Sequence, residues 1–204
     1  MGSEPTPEAG RLTAQWQRMK RAFDLAAAAV AAILLALTML LMALLIRATS
    51  SGPALYWSER VGRHNKLFSM PKFRSMRVNT PALATHLLLD APSHLTPIGG
   101  FLRRSSLDEL PQLWSILKGD MSFVGPRPAL FNQHDLVLLR TERGVHVLAP
   151  GLTGWAQING RDELPIPQKV ALDAEYLQRQ SFAFDMRILA QTALRVLRGD
   201  GVTH

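Results

Sequence analysis

The chain has no cysteine, which excludes disulfides and thiolate chemistry and suits a protein facing a reducing compartment. It also lacks a Gly-x-x-x-x-Gly-Lys-Ser/Thr loop, a Gly-x-Gly-x-x-Gly turn and a His-Glu-x-x-His helix. P-loop, Rossmann and zincin chemistry therefore have no support. The six histidines are dispersed, and no two sit at the helical spacing that a His-held metal uses. One further absence is the most informative. Between Leu25 and Ile46 there is no charged residue, no proline and no glycine.

That run is almost entirely Ala, Leu, Ile, Val and Met. As one helix it would be roughly 33 Å long, enough for a hydrocarbon core. A cleaved secretory signal is the competing reading, because Arg18, Lys20 and Arg21 precede the run. Signal h-regions span only roughly 7–15 residues and end at a small-residue cleavage site. The run is longer and no such site follows it, so it is read as a retained membrane anchor. Basic residues flank both ends, with Arg11 to Arg21 before and Arg47, Arg60, Arg63 and Lys66 after. A single crossing cannot keep both flanks on the positive side. A re-entrant helix can, although only Thr38 offers a weak bending device.

The 204 residues carry a formal net charge of +7 and a pI near 10.5. This length argues for one domain plus an attachment, and the charge favours anionic partners (nucleic acid, acidic lipid headgroups or phosphorylated substrates) without choosing among them. The sequence divides into a polar Pro/Gly-rich tail at 1–11, a membrane-anchoring helix at 12–47 and a catalytic domain at 48–204. Within the last part, Ala54–Ser58 and Lys66–Met70 read as two short strands of a hairpin. Apolar spacing predicts helices over Ser106–Lys118, Leu130–Glu142, Gln168–Arg179 and Asp185–Arg198. The final helix sets Arg187, Gln191, Arg195 and Arg198 opposite an apolar stripe, which fits either a lipid interface or an ordinary core-packing surface helix. The fold class is mainly α with a small β-hairpin. A membrane-embedded, re-entrant N-terminal helix joins a compact cytoplasmic α/β catalytic domain with interfacial amphipathic helices.

Polar residues concentrate in Arg103-Arg104-Ser105-Ser106-Leu107-Asp108-Glu109-Leu110-Pro111. Ser106 and Glu109 have capping-box spacing, and acids in a first turn complement the helix dipole, so local rules permit a structural role. The same physics permits a catalytic one. A positive helix terminus and two arginines would hold Asp108 ionised as a nucleophile and attract a phosphate. Neighbours in a helix face different ways, so the two acids would take separate tasks.

The run Ser106-Leu107-Asp108-Glu109-Leu110-Pro111-Gln112-Leu113, followed by Leu117-Lys118-Gly119-Asp120-Met121-Ser122-Phe123-Val124-Gly125-Pro126-Arg127-Pro128, resembles the bacterial sugar transferase family, the monotopic phosphoglycosyl transferases. So do Lys20-Arg21-Ala22-Phe23-Asp24, Lys72-Phe73-Arg74-Ser75-Met76 and Pro150 to Arg161. The resemblance covers Lys20 to about Gly201. It departs at Ser115, where the family often has Asn, and at Ala36-Leu37, where a Ser-Pro pair typically breaks the membrane helix. It implies transfer of a sugar 1-phosphate from a UDP-sugar to polyprenyl (undecaprenyl) phosphate with release of UMP, the first membrane step of polysaccharide or glycoprotein glycan assembly. It further implies Asp108 as nucleophile, through a phosphosugar-aspartate intermediate, and Glu109 as partner of a Mg²⁺ cofactor. Arg103, Arg127, Lys72, Arg74 and Arg161 are the implied phosphate- and nucleotide-binding residues. Arg161, like Arg104, is also readable as a solvated surface charge. The implied location is the bacterial plasma membrane, with the catalytic domain on its cytoplasmic face against anionic lipids; nucleic acid is not an expected partner. A UDP-sugar hydrolase and a non-enzymatic basic adapter are the other two readings.

Overall fold

The computed structural model describes residues 7–81, 91–160 and 164–198. A single helix, α1, runs from Pro7 to Thr49, beginning earlier than the apolar pattern predicts and continuing through Ala36-Leu37 without interruption. A run with no proline or glycine offers nothing to break it. Strands β1 (Leu55–Val61) and β2 (Leu67–Phe73) form the expected hairpin, each longer than predicted. A third strand, β4 (Ala129–Leu130), pairs antiparallel with the far edge of β1. A separate parallel pair joins β3 (Ser122–Val124) to β5 (Gly151–Thr153). Helices α2 (Gly99–Arg104), α3 (Leu113–Lys118), α4 (His134–Glu142), α5 (Trp155–Ile158), α6 (Ile166–Arg179) and α7 (Phe182–Arg198) complete the domain. The helix predicted over Ser106–Lys118 is two pieces. Leu107–Gln112 is a 3₁₀ turn containing Pro111, and α3 starts only after it. Proline removes a helical N–H and clashes with the preceding turn, so a continuous α-helix cannot pass through that position.

The docking of α1 organises the rest. Asp24, Ala28, Ala31, Leu35, Met39, Met42 and Ile46 recur every three or four residues, one face of a 3.6-residue helix. Ala28, with Ala31, Ala32 and Leu35, packs on Met70, Leu113, Ile116 and Met121. Ile46, with Met39, Met42 and Ala43, packs on Phe73 and Leu102. Polar bonds fasten both ends. Lys20 forms an ion pair with Asp185, and Asp24 Oδ1 accepts the Phe123 N–H at 3.2 Å. The Arg21 guanidinium donates to the Ile116 and Leu117 carbonyls that end α3, the last-turn acceptors that a helix leaves unpaired. At the other end Arg74 caps α1, donating to Ser50 Oγ at 2.8 Å and to the Ser50 and Ser51 carbonyls.

Away from the domain, Val30, Ile33, Leu34, Leu37, Leu41, Leu44 and Leu45 are exposed. The helix is thus apolar on every side and buried on one only. Both ends of its apolar run are held by the same folded domain, through Lys20, Arg21 and Asp24 at one end and Arg74 at the other. In α7 the stripe of Phe184, Ile188 and Leu189 enters the core with Val124 and Tyr176, so most of that helix is an ordinary packed surface helix. Because the chain has no cysteine, single cysteines at the exposed positions Gln15 and Glu59 are clean topology reporters. Both are expected to resist a membrane-impermeant maleimide in whole cells and to react after permeabilisation; labelling at Gln15 alone would establish a crossing.

Candidate active site

Three chain segments converge on Glu109. Lys72 projects from β2, and its Nζ is 2.9 Å from Glu109 Oε1. Arg127 approaches from the Gly125-Pro126-Arg127-Pro128 loop, with Nη2 at 3.3 Å from the same oxygen. Glu109 itself lies in the 3₁₀ turn, whose packing against β2 makes the pairing possible. Period-two alternation on β2 directs Lys72 to the acid while Pro71 and Phe73 face the α1 side. Burial acts to raise the Glu109 pKa, but Lys72 and Arg127 outweigh it and hold the group at about 2. Its carboxylate is therefore ionised throughout the neutral range.

Asp108 differs. It is 8% exposed, and burial raises its pKa above the ordinary aspartate value. Lys72, Arg103 and Arg127 oppose that rise, while the adjacent Glu109 charge adds to it. The sequence-level argument that arginines and a helix terminus dominate is reversed, because desolvation is the largest influence. The capping box is also absent. Ser106 adopts a left-handed conformation (φ 56°), its side chain makes no cap bond, and the Glu109 carboxylate turns to Lys72 and Arg127 instead. A serine at positive φ is uncommon and persists where the surroundings over-determine it.

The remaining residues of interest separate. Arg103, on α2, donates through Nε to Ser75 Oγ at 3.0 Å and acts electrostatically on Asp108. Arg74 is not brought to the acids. It is 5% exposed, and its hydrogen bonds go to the end of α1. Arg161 lies outside the described residues, as does part of each loop, Arg77–Leu95 and Asp162–Gln168, in which substrate specificity is expected to reside.

The Arg127 loop is held by contacts that sequence reasoning missed. Both prolines lack an N–H, and the three carbonyls from 126 to 128 are each tied down. Pro126 O accepts from Gly151 N at 2.9 Å, Arg127 O from Arg140 Nη1 at 2.8 Å, and Pro128 O from Arg60 Nη1 at 3.2 Å. Three glycines close the same joint. A Cβ on Gly154 would fall 2.0 Å from Gly125 O, and one on Gly151 would fall 2.1 Å from Gly125 N. Only glycine permits two backbones this close. Arg140 is itself fixed by a buried ion pair with Asp173, at 2.9 Å and 2.7 Å. The signal for Asp173 was present, since it shares the buried face of α6 with Val170 and Tyr176, where an acid needs a partner. Nothing local marked Arg140.

With this geometry in place, the comparisons with known proteins are direct. Residues 15–199 match the family described as Bacterial sugar transferase, and the chain belongs to that family. It is 39% identical over 186 residues to an uncharacterized sugar transferase, EpsL, of Bacillus subtilis (strain 168), covering 90% of each chain. It is 38% identical over 200 residues to the undecaprenyl-phosphate galactose phosphotransferase of Salmonella typhimurium, covering 90% of this chain and 41% of that protein. It is 42% identical over 167 residues to the UDP-glucose:undecaprenyl-phosphate glucose-1-phosphate transferase of Xanthomonas campestris pv. campestris, covering 78% of this chain and 34% of that protein. The chain thus spans most of one relative and well under half of the other two.

Two outcomes are expected from the site's electrostatics. In a carboxyl-resolved NMR titration the Asp108 midpoint should lie above 3.8. It should rise further in Lys72→Met, which removes a lowering charge, and fall in Glu109→Gln, which removes a raising one. Separately, Arg140→Met strands Asp173 and should cost about 3–5 kcal/mol in urea unfolding, with most of it recovered in Arg140→Met/Asp173→Leu, because an apolar replacement of a buried pair is tolerated where a broken pair is not.

Proposed function

We propose that the protein transfers a sugar 1-phosphate from a UDP-sugar to polyprenyl (undecaprenyl) phosphate, with residues 12–47 as anchor and 48–204 as the catalytic domain. The observation that carries this reading is a buried carboxylate, Asp108, beside a cation-clamped one, Glu109, at the edge of a long apolar helix. The names of the Salmonella and Xanthomonas relatives supply the substrate classes. An Asp108 carboxylate oxygen attacks the sugar-bearing phosphorus of the donor. The new P–O bond forms as the bridging P–O bond breaks, and UMP leaves with that bonding pair. A phosphate oxygen of the acceptor then attacks the same phosphorus and releases Asp108 as carboxylate, giving a polyprenyl diphosphate sugar. Such two-step covalent routes replace one difficult displacement by two easier ones. Lys72, Arg103 and Arg127 offset phosphate charge and help ionise Asp108, countering the burial that raises its pKa.

The donor set fits Mg²⁺. This ion takes one or two carboxylates and fills its shell with water and substrate phosphates. Both ion pairs of Glu109 fall on Oε1, which leaves Oε2 to share with a cation beside Asp108. Bound there, Mg²⁺ would neutralise diphosphate charge. The exposed apolar face of α1 and the basic balance support a location at the bacterial plasma membrane, with the catalytic domain on the cytoplasmic face against anionic lipids.

Purified protein with Mg²⁺ and a panel of UDP-sugars should release UMP in an acceptor-dependent manner, and intact-mass analysis should show a phosphosugar adduct that is absent in Asp108→Asn. Equal UMP release without acceptor would establish a hydrolase. An adduct that persists in Asp108→Asn would move the nucleophile elsewhere.

A further inference from the structure

Between α1 and the catalytic domain lies an open-sided cavity of about 560 Å³, within the range of small-molecule sites. Every residue lining it is apolar. Met39 and Ala43 contribute the α1 wall, Trp57 and Phe73 the sheet wall, and Pro111 and Trp114 the floor. Trp57 and Trp114 are half exposed, as is Leu40 in the α1 wall, so the open side of the cavity includes an unburied leucine of α1.

We propose that this cavity receives the proximal isoprene units of the polyprenyl phosphate acceptor, holding its phosphate against Asp108. The inference rests on the acceptor assigned under Proposed function and adds where the lipid is held. Three observations select this occupant. The cavity and the carboxylates share one element, the 3₁₀ turn Leu107–Gln112. Side chains three apart eclipse in a 3₁₀ helix, so Pro111 stands over Asp108 on the same face, roughly 6 Å along the axis. A ligand that reaches Asp108 with its phosphate thus meets Pro111 with the next few atoms of its chain. The second observation is the sharp change in chemistry at that step, from Lys72, Arg103 and Arg127 around the acids to a wall without a charge. This matches an amphiphile with an anionic head and a long, methyl-branched apolar chain. A nucleoside sugar, polar throughout, would leave the cavity unused. The third is the α1 wall, formed by the segment whose other face is exposed and apolar. A chain leaving the cavity there enters the same apolar medium that this face requires, so no part of it need be drawn into water.

Filling the cavity from two independent positions on α1 tests this. Ala43→Trp and Ala32→Phe should form the phosphosugar adduct from UDP-sugar at the unsubstituted rate, since donor chemistry lies across the 3₁₀ turn. Their KM for undecaprenyl phosphate should rise roughly tenfold or more, with kcat much less affected, the signature of lost uniform binding. An unchanged KM in variants that still form adduct overturns the proposal alone. No adduct in the unsubstituted protein overturns the functional reading and this inference together. On the unsubstituted protein, a prenyl phosphate carrying a diazirine in its second isoprene unit should label peptides containing Met39–Ala43 or Pro111–Leu117. Excess undecaprenyl phosphate should suppress that labelling, and phosphatidic acid in the same vesicles should not. Labelling confined to other peptides, or equal suppression by both lipids, overturns the proposal and in the second case gives the cavity to membrane acyl chains in general.

Discussion

Glu109 is the point at which three separately built parts of the chain meet. Lys72 belongs to a hairpin, Arg127 to a proline-bounded loop that leads into the third strand of the same sheet, and Glu109 to a 3₁₀ turn. Their ion pairs, at 2.9 Å and 3.3 Å, fix the turn against β2 and bring the loop over it. The Glu109 side chain is 20% exposed and that of Arg127 39%, so water screens part of the attraction and each pair contributes modestly to stability. The interaction therefore specifies position more than it adds stability. Its consequence falls on the neighbouring residue, because a turn fixed at Glu109 also fixes Asp108.

The two supports of that clamp are built differently. Lys72 depends on strand alternation, so whatever seats β2 seats the lysine. Pro71 and Phe73, on the opposite side of the strand, face the α1 seam, and the apolar helix thereby reaches the cation from behind. Arg127 depends on backbone approach instead. The glycines at 125, 151 and 154 let two loops touch at distances no Cβ allows, and Arg140 holds the Arg127 carbonyl. One support is thus a packed apolar layer and the other a polar, tightly bonded joint. Arg74, which fastens the turn after α1, follows Phe73 directly, so the last two residues of β2 and the one after it carry the site cation, the seam contact and the helix fastening.

Much of this was legible in the sequence and the remainder has identifiable reasons. The uninterrupted run from Leu25 to Ile46, the hairpin and helices α4, α6 and α7 follow from local patterns and appear within a few residues of their predicted bounds, whereas the short helix α5 was not predicted. Asp108 and Glu109 were nameable from the local cluster of acids and arginines, whereas Lys72 and Arg127 were named only through the family resemblance of their motifs. Arg74 shows the limit of that reasoning. Its segment is rich in cations, but the unpaired carbonyls that attract it lie at the far end of another element. The continuous helix predicted over Ser106–Lys118 failed because apolar spacing was weighed above Pro111. Arg140 was invisible, since an arginine on a short helix carries no mark of burial until α6 supplies Asp173.

The adjacency of Asp108 and Glu109 poses a problem that burial resolves. Two neighbouring carboxylates in similar surroundings would repel and titrate together, and neither would have a distinct role. Here one is drawn down to about 2 by two contacting cations, and the other is pushed up by desolvation that the same cations only partly offset. Groups whose environments force their pKa values apart are the ones that can divide tasks. The permanently ionised member suits electrostatic and cation-holding work. The desolvated member carries a charge that water does not stabilise fully, and a poorly solvated anion is the stronger nucleophile toward phosphorus once ionised. That desolvation has the same origin as the apolar cavity one turn away, because both follow from setting a 3₁₀ turn against β2 beside the apolar helix α1. The proposed nucleophile and the proposed lipid pocket are then two results of one packing decision.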